Sequence, residues 1–154
     1  MGMYTEIYVN VDLKEETPQE IIDTLRQLCA GLRPNGFPVR SGLLFNNGSY
    51  YTPSTHVRSL TYDEISRQWS FLGKGDIKNC SGEIEHFFNW LMPWVDGFPG
   101  DFVGYHRYEE DQKPTLVFIP EEKKPRSVLR HKVRLELLAI AAELRGTTTP
   151  TETP

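Results

Sequence analysis

The chain has little of what recognisable chemistry usually requires. Its 154 residues include only two cysteines, Cys29 and Cys80, and no CxxC pair, which excludes a disulfide scaffold and a cysteine-built zinc site. None of the four histidines, His56, His86, His106 and His131, stands three or four residues from another histidine or a cysteine. Metal-binding spacing is therefore missing, and neither a metal nor a cofactor is expected. There is no GxSxG elbow, no HExxH and no P-loop, so no catalytic residue is assigned and the chain reads as a non-enzyme. Gly73-Lys74-Gly75-Asp76 lacks the glycine frame that cradles phosphate and reads as a strand exit. No apolar run approaches the roughly 20 residues that span a bilayer, and no basic-then-apolar leader opens the sequence. No membrane partner and a cytoplasmic location are expected.

Charge of one sign is also lacking. Seventeen Lys and Arg against 21 Asp and Glu give a net charge of -4, too mild to announce a nucleic-acid binder. The distribution says more than the sum. Thr61 to Pro120 holds ten acidic and five basic residues, whereas Lys123 to Arg134 holds six basic residues, one His and no acid.

What is present is enough for one folded domain with its own core, since a chain of this size buries roughly 68 to 70% of its unfolded surface. Tyr4 to Leu13 alternates, with Ile7, Val9, Val11 and Leu13 on one side, and predicts a half-buried strand. Thr17-Pro18-Gln19-Glu20 carries a capping-box pattern, and Ile21, Leu25, Leu28 and Leu32 share a helical face, which predicts a helix over about 18–31. A hairpin around Asn46-Asn47-Gly48 follows. A second pair of strands is expected over 57–62 and 68–72. Both pairs are expected to be antiparallel, which keeps most of the sheet local in sequence.

Ser81 with Glu83 and Glu85 opens a second predicted helix, striped by Ile84, Phe87, Phe88, Leu91 and Val95 and bent at Pro93. Residues 102–108 and 115–119 predict a last hairpin. A third helix is expected over about 127–145, apolar on two faces, and the Thr/Pro-rich tail over 147–154 is expected to be disordered. The fold class is α+β: a largely antiparallel sheet of about five or six strands with two helices on one face and a C-terminal helix. The expected division is a domain over 1–120, a basic linker and helix over 121–146, and the tail.

The densest functional candidate is Tyr105-His106-Arg107-Tyr108 with Glu109 and Glu110. Strand alternation aims Tyr105 and Arg107 at one face and His106 and Tyr108 at the other. Tyr and Arg are enriched in binding surfaces because they combine contact area with directional hydrogen bonds, although a ladder of Tyr and charged residues on a solvated sheet has the same pattern. Tyr50, Tyr51, His56 and Arg58 form a looser second group. If the two groups met across the sheet, they would suit a nucleotide or a peptide, with Arg58 or Arg107 against phosphate. Carboxylates such as Asp63, Glu64 or Glu109 would serve a small hydrolase. Cys29 reads as a core thiol, and Cys80 as a thiol at a helix N-terminus without an identifiable partner.

The basic segment is the hardest feature to explain locally. Lys123, Lys124, Arg126, Arg130, Lys132 and Arg134 include cations at a helix start, where they oppose the helix dipole. Three readings compete: docking on an acidic surface of this chain or of a second copy, contact with nucleic acid, and a solvated face. The two-faced apolar pattern favours self-association through the last helix.

Finally, Asp76-Ile77-Lys78-Asn79, Gly82-Glu83-Ile84-Glu85, Phe88, Trp90-Leu91, Pro93, Gly104-Tyr105, Arg107-Tyr108-Glu109-Glu110 and Pro114-Thr115-Leu116 resemble a family of small uncharacterised accessory proteins of tailed bacteriophages, notably those of actinobacteria. The opening Met3-Tyr4-Thr5-Glu6-Ile7-Tyr8-Val9 is similar too, and the likeness covers about residues 3–119. It implies a phage origin, host-cell cytoplasm and an accessory role, and transfers no catalytic residue. The leading expectation is binding of a host protein, including inhibition of a bacterial defence system. A nucleotide-signal-binding protein and a virion structural or adaptor protein are the alternatives.

Overall fold

A computed structural model describes residues 4–35, 37, 39, 45 and 56–121. Contacts divide the chain into a unit of Met1–Pro120 and a second from Glu121 onward, and the fold below is that of the first. The predicted hairpin at Asn46-Gly48, the third helix and the Thr/Pro tail lie outside the described residues.

The strand β1 (Thr5–Leu13) is followed by α1 (Gln19–Cys29), β2 (Val57–Asp63), β3 (Gln68–Ile77), α2 (Glu83–Leu91) with a 3-10 turn at Met92–Trp94, β4 (Phe102–Tyr108) and β5 (Thr115–Phe118). The five strands form one antiparallel sheet in the order β2-β3-β1-β4-β5. The α+β class with an antiparallel sheet and two helices is thus as expected. Locality is not: the first strand lies at the centre, paired with β3 and β4 from far along the chain. Alternation explains why. Ile7, Val9, Val11 and Leu13 are all buried on one face, so β1 belongs where neighbours on both sides shield it from water.

That face meets the helices in one core. Ile22, Leu25 and Leu28 of α1 and Ile84, Phe87, Phe88 and Leu91 of α2 join β1, Phe71, Phe45 and Val39 in a single cluster. Its centre is aromatic, with Phe45 edge-on to both Phe71 and Phe87, ring centroids 5.5 and 5.3 Å apart. Such packing explains the glycine pair misread as a strand exit. Gly73 lies inside β3, and a Cβ there would sit 2.5 Å from the Phe45 ring; the residue is glycine because the ring occupies that space.

Both helix starts differ from the sequence reading. Pro18 is the N-cap of α1 with no side-chain cap, and the buried Thr17 hydroxyl has no hydrogen-bond partner. The capping box fails because the chain enters the helix one residue later than the motif requires. The stripe also ends sooner, since Leu32 lies beyond the helix and is exposed. At α2, Ser81 is not the cap. Gly82 takes the N-cap position at φ 68°, a left-handed conformation costly for side-chain-bearing residues, and Asn79 Oδ1 accepts the Ile84 N–H at 3.0 Å instead. Pro93 falls in the 3-10 turn as expected, after which Asp96 N–H donates to Asp12 O and the chain seals the end of β1.

Candidate functional site

The helices cover one face of the sheet, and the even-numbered residues of β1 point to the other. Register places Asp76, Glu6 and Arg107 in one row across β3, β1 and β4, and Val57, Lys74, Tyr8, Tyr105 and Leu116 in the next row across all five strands. Glu6 is the hub. Its side chain is only 9% exposed and lies 3.5 Å from Lys74 Nζ and 3.4 Å from Arg107 Nη2, while the Tyr105 hydroxyl donates to its Oε1 at 3.3 Å. Burial, the Glu6 charge and that hydrogen bond push the Tyr105 phenol above its ordinary pKa. Tyr8 and Tyr105 stack at 5.3 Å and 20°, a cross-strand aromatic pair that fixes both rings.

Tyr105 and Arg107 therefore share a face, as alternation requires. Glu6, Tyr8 and Lys74, which complete the arrangement, were missed. A lone Glu or Lys in a strand looks like any solvated position, and only register reveals that two cations converge on one carboxylate.

His106 and Tyr108 point to the opposite face, into a cleft of about 360 Å³ with Thr5, Asn79, Cys80, Glu85 and Asp111. Burial pushes the Glu85 carboxyl up, but hydrogen bonds from Asn79 and its own backbone, with the nearby His106 and His86, outweigh this and hold it below its ordinary value. For Tyr108, desolvation and then Glu110, Glu109 and Asp111 push the phenol up. The exposed Cys80 thus shares a cleft with His106, a neighbour that sequence reasoning did not find. Among the described residues no group of three or more His, Cys, Asp or Glu could hold a metal ion.

Of the second candidate group, Arg58 does not meet the first. Tyr50 and Tyr51 lie outside the described residues, and the exposed His56 precedes β2. Arg58 turns to the helix-bearing side: a Cβ on Gly31 would lie 2.8 Å from its Nη1. Its charge lowers the pKa of half-buried Cys29, while burial does more and raises it. Because β3 and β1 separate β2 from β4, about 14 Å of sheet and an opposite facing lie between Arg58 and Tyr105. One nucleotide cannot be gripped by both.

Asp63 is spent on a turn, accepting hydrogen bonds from the Ile65 N–H and then Ser66, which lower its pKa. The expected basic face, Lys123, Lys124, Arg126, Arg130 and Arg134, lies outside the described residues. No helix among the described residues is long and apolar enough to cross a membrane. No known protein family, curated protein or solved structure matches the chain.

Proposed function

We propose that the protein is a non-enzymatic accessory protein of a tailed phage that binds a host protein through the helix-free face of its sheet, including to block a bacterial defence. The observation that carries this reading is the Glu6-centred array. Lys74 and Arg107 flank one carboxylate, Tyr105 is hydrogen-bonded to it, and Tyr8 is stacked alongside. Groups held in place before contact lose little side-chain entropy on binding, which is where rigid Tyr and Arg surfaces gain affinity. Asp76 and Glu6 balance Lys74 and Arg107 on this face, so the complementary partner surface offers polar groups of both signs with apolar ground for the tyrosines. The phage assignment rests on the resemblance in residues 3–119 and supplies the choice of host.

The test is retention of a protein from actinobacterial lysate by the wild-type chain and by the Tyr105→Ala/Arg107→Glu variant, with circular dichroism checking that both are folded. A stoichiometric partner held by the first and lost by the second supports the reading. No partner, or equal retention by both, refutes it.

A further inference from the structure

Among the described residues the strand β5 (Thr115–Phe118) is an edge of the sheet, and edges are usually blunted with charge because their free backbone groups recruit other strands. Thr115, Leu116, Val117 and Phe118 carry none. Ile119 bonds inward, its N–H donating to Asp101 O and its carbonyl accepting from Gly100 N–H. By alternation Val117 and Thr115 also face β4, and Leu116 and Phe118 turn their N–H and C=O away from it. The side chains of these two lie on the helix-free face, 51% and 45% exposed, with the Phe118 ring centroid 5.9 Å from that of Phe102.

We propose that β5 pairs antiparallel with β5 of a second copy of this chain, across a twofold axis at Val117, to give a ten-stranded sheet with five strands from each copy. Charges flanking the strand select this register. It sets Leu116 of one copy opposite Phe118 of the other, so both outward residues keep donor and acceptor, and Pro114 falls opposite Pro120, where a missing N–H costs no bond that either partner could complete. The neighbouring registers that keep outward groups facing each other set Pro114 against Phe118 or Pro120 against Leu116 and pair the same four donors, so the flanking charges decide between them. The chosen register also sets Lys113 of one copy opposite Glu121 of the other, an opposite-charge pair on both sides of the axis. It merges the Leu116, Phe118 and Phe102 patches of both copies, which removes exposed apolar surface from water. The contact is isologous and closes at two copies.

Sedimentation equilibrium of the full chain tests this, with Leu116→Pro, which deletes only the outward N–H, and Phe118→Lys, which charges the edge. The wild type is expected to approach twice its 17.8 kDa chain mass as concentration rises, and both variants to stay at the chain mass with unchanged circular dichroism. A wild type that stays monomeric at every concentration overturns the proposal. So does a dimer that survives both variants, or assembly that continues past two copies. Register is read separately: Lys113→Glu weakens the dimer several-fold and adding Glu121→Lys restores it, whereas failure to restore overturns the alignment. Loss of host-protein retention follows Tyr105 and Arg107 rather than these variants, so the two proposals fail independently.

Discussion

Replacing Glu6 tests whether the helix-free face is a built structure or a coincidence of exposed side chains. Glu6→Ala removes one carboxylate and with it two ion pairs and a hydrogen bond. Screening decides the size of each loss. Arg107 is 43% exposed, so its pair is worth about 0.5 kcal/mol, whereas Lys74 at 32% is less screened and contributes nearer 1 kcal/mol. The Tyr105 hydrogen bond to a charged acceptor adds about 1 kcal/mol at its long 3.3 Å. The alanine variant also leaves Lys74 and Arg107 without the anion between them, so a loss of about 2 to 3 kcal/mol is expected, or roughly 6 to 10 °C in Tm for a chain of this length. Glu6→Gln keeps an acceptor for Tyr105 and loses only the charge, about half as much. Urea unfolding followed by circular dichroism gives both values. A loss below about 0.5 kcal/mol for Glu6→Ala, the scale of an ordinary surface change, or equal losses for both variants, would refute a hub at Glu6.

Two further outcomes are expected from groups around the site. The raised Tyr105 pKa means that the folded state holds the phenolic proton more tightly than the unfolded chain. The linked stability is therefore complete below the unfolded value near 10 and is lost as pH rises through the folded pKa. Phenolate absorbance should show late-titrating tyrosines, Tyr105 and Tyr108 among them, with one fewer in Tyr105→Phe, and an unchanged titration curve would contradict the Glu6 contact. Asn79→Ala removes the acceptor for the Ile84 N–H and the donor to Glu85, which should cost about 1 to 2 kcal/mol. It should also raise the Glu85 pKa, so that the stability this carboxylate confers is lost at higher pH on acidification. Carboxyl-detected NMR reads the pKa, and a wild-type value in the variant would count against Asn79 as the tether.

The parts of the fold that were legible in the sequence are those where one residue type answers one local question. Alternation in β1 predicts both the strand and its buried side, and the stripe Ile84, Phe87, Phe88 and Leu91 predicts α2 and the face it buries. The caps were misread because several residues near each helix start can compete for the same N–H groups. At α2 a left-handed Gly82 excludes Ser81 and hands the role to Asn79, three residues before the N-cap. The length of β3 was hidden by Gly73, whose reason lies on Phe45, remote in the chain. For the site, alternation aligned Tyr105 with Arg107, but the meeting of Glu6, Lys74 and Arg107 depends on which strands become neighbours. Residue spacing along one strand carries no information about that choice.

The central place of the first strand has a consequence during synthesis. Thr5 is paired with Tyr108 on one side and Ile77 on the other, so β1 waits for both flanks until β3 and then β4 have been translated. Loops of that span close slowly, and a greasy strand left open in the meantime invites wrong pairing. The nascent chain should therefore depend on chaperone shelter between synthesis of β1 and of β4, and emergence of β4, rather than of α1 or β2, should mark the onset of native structure.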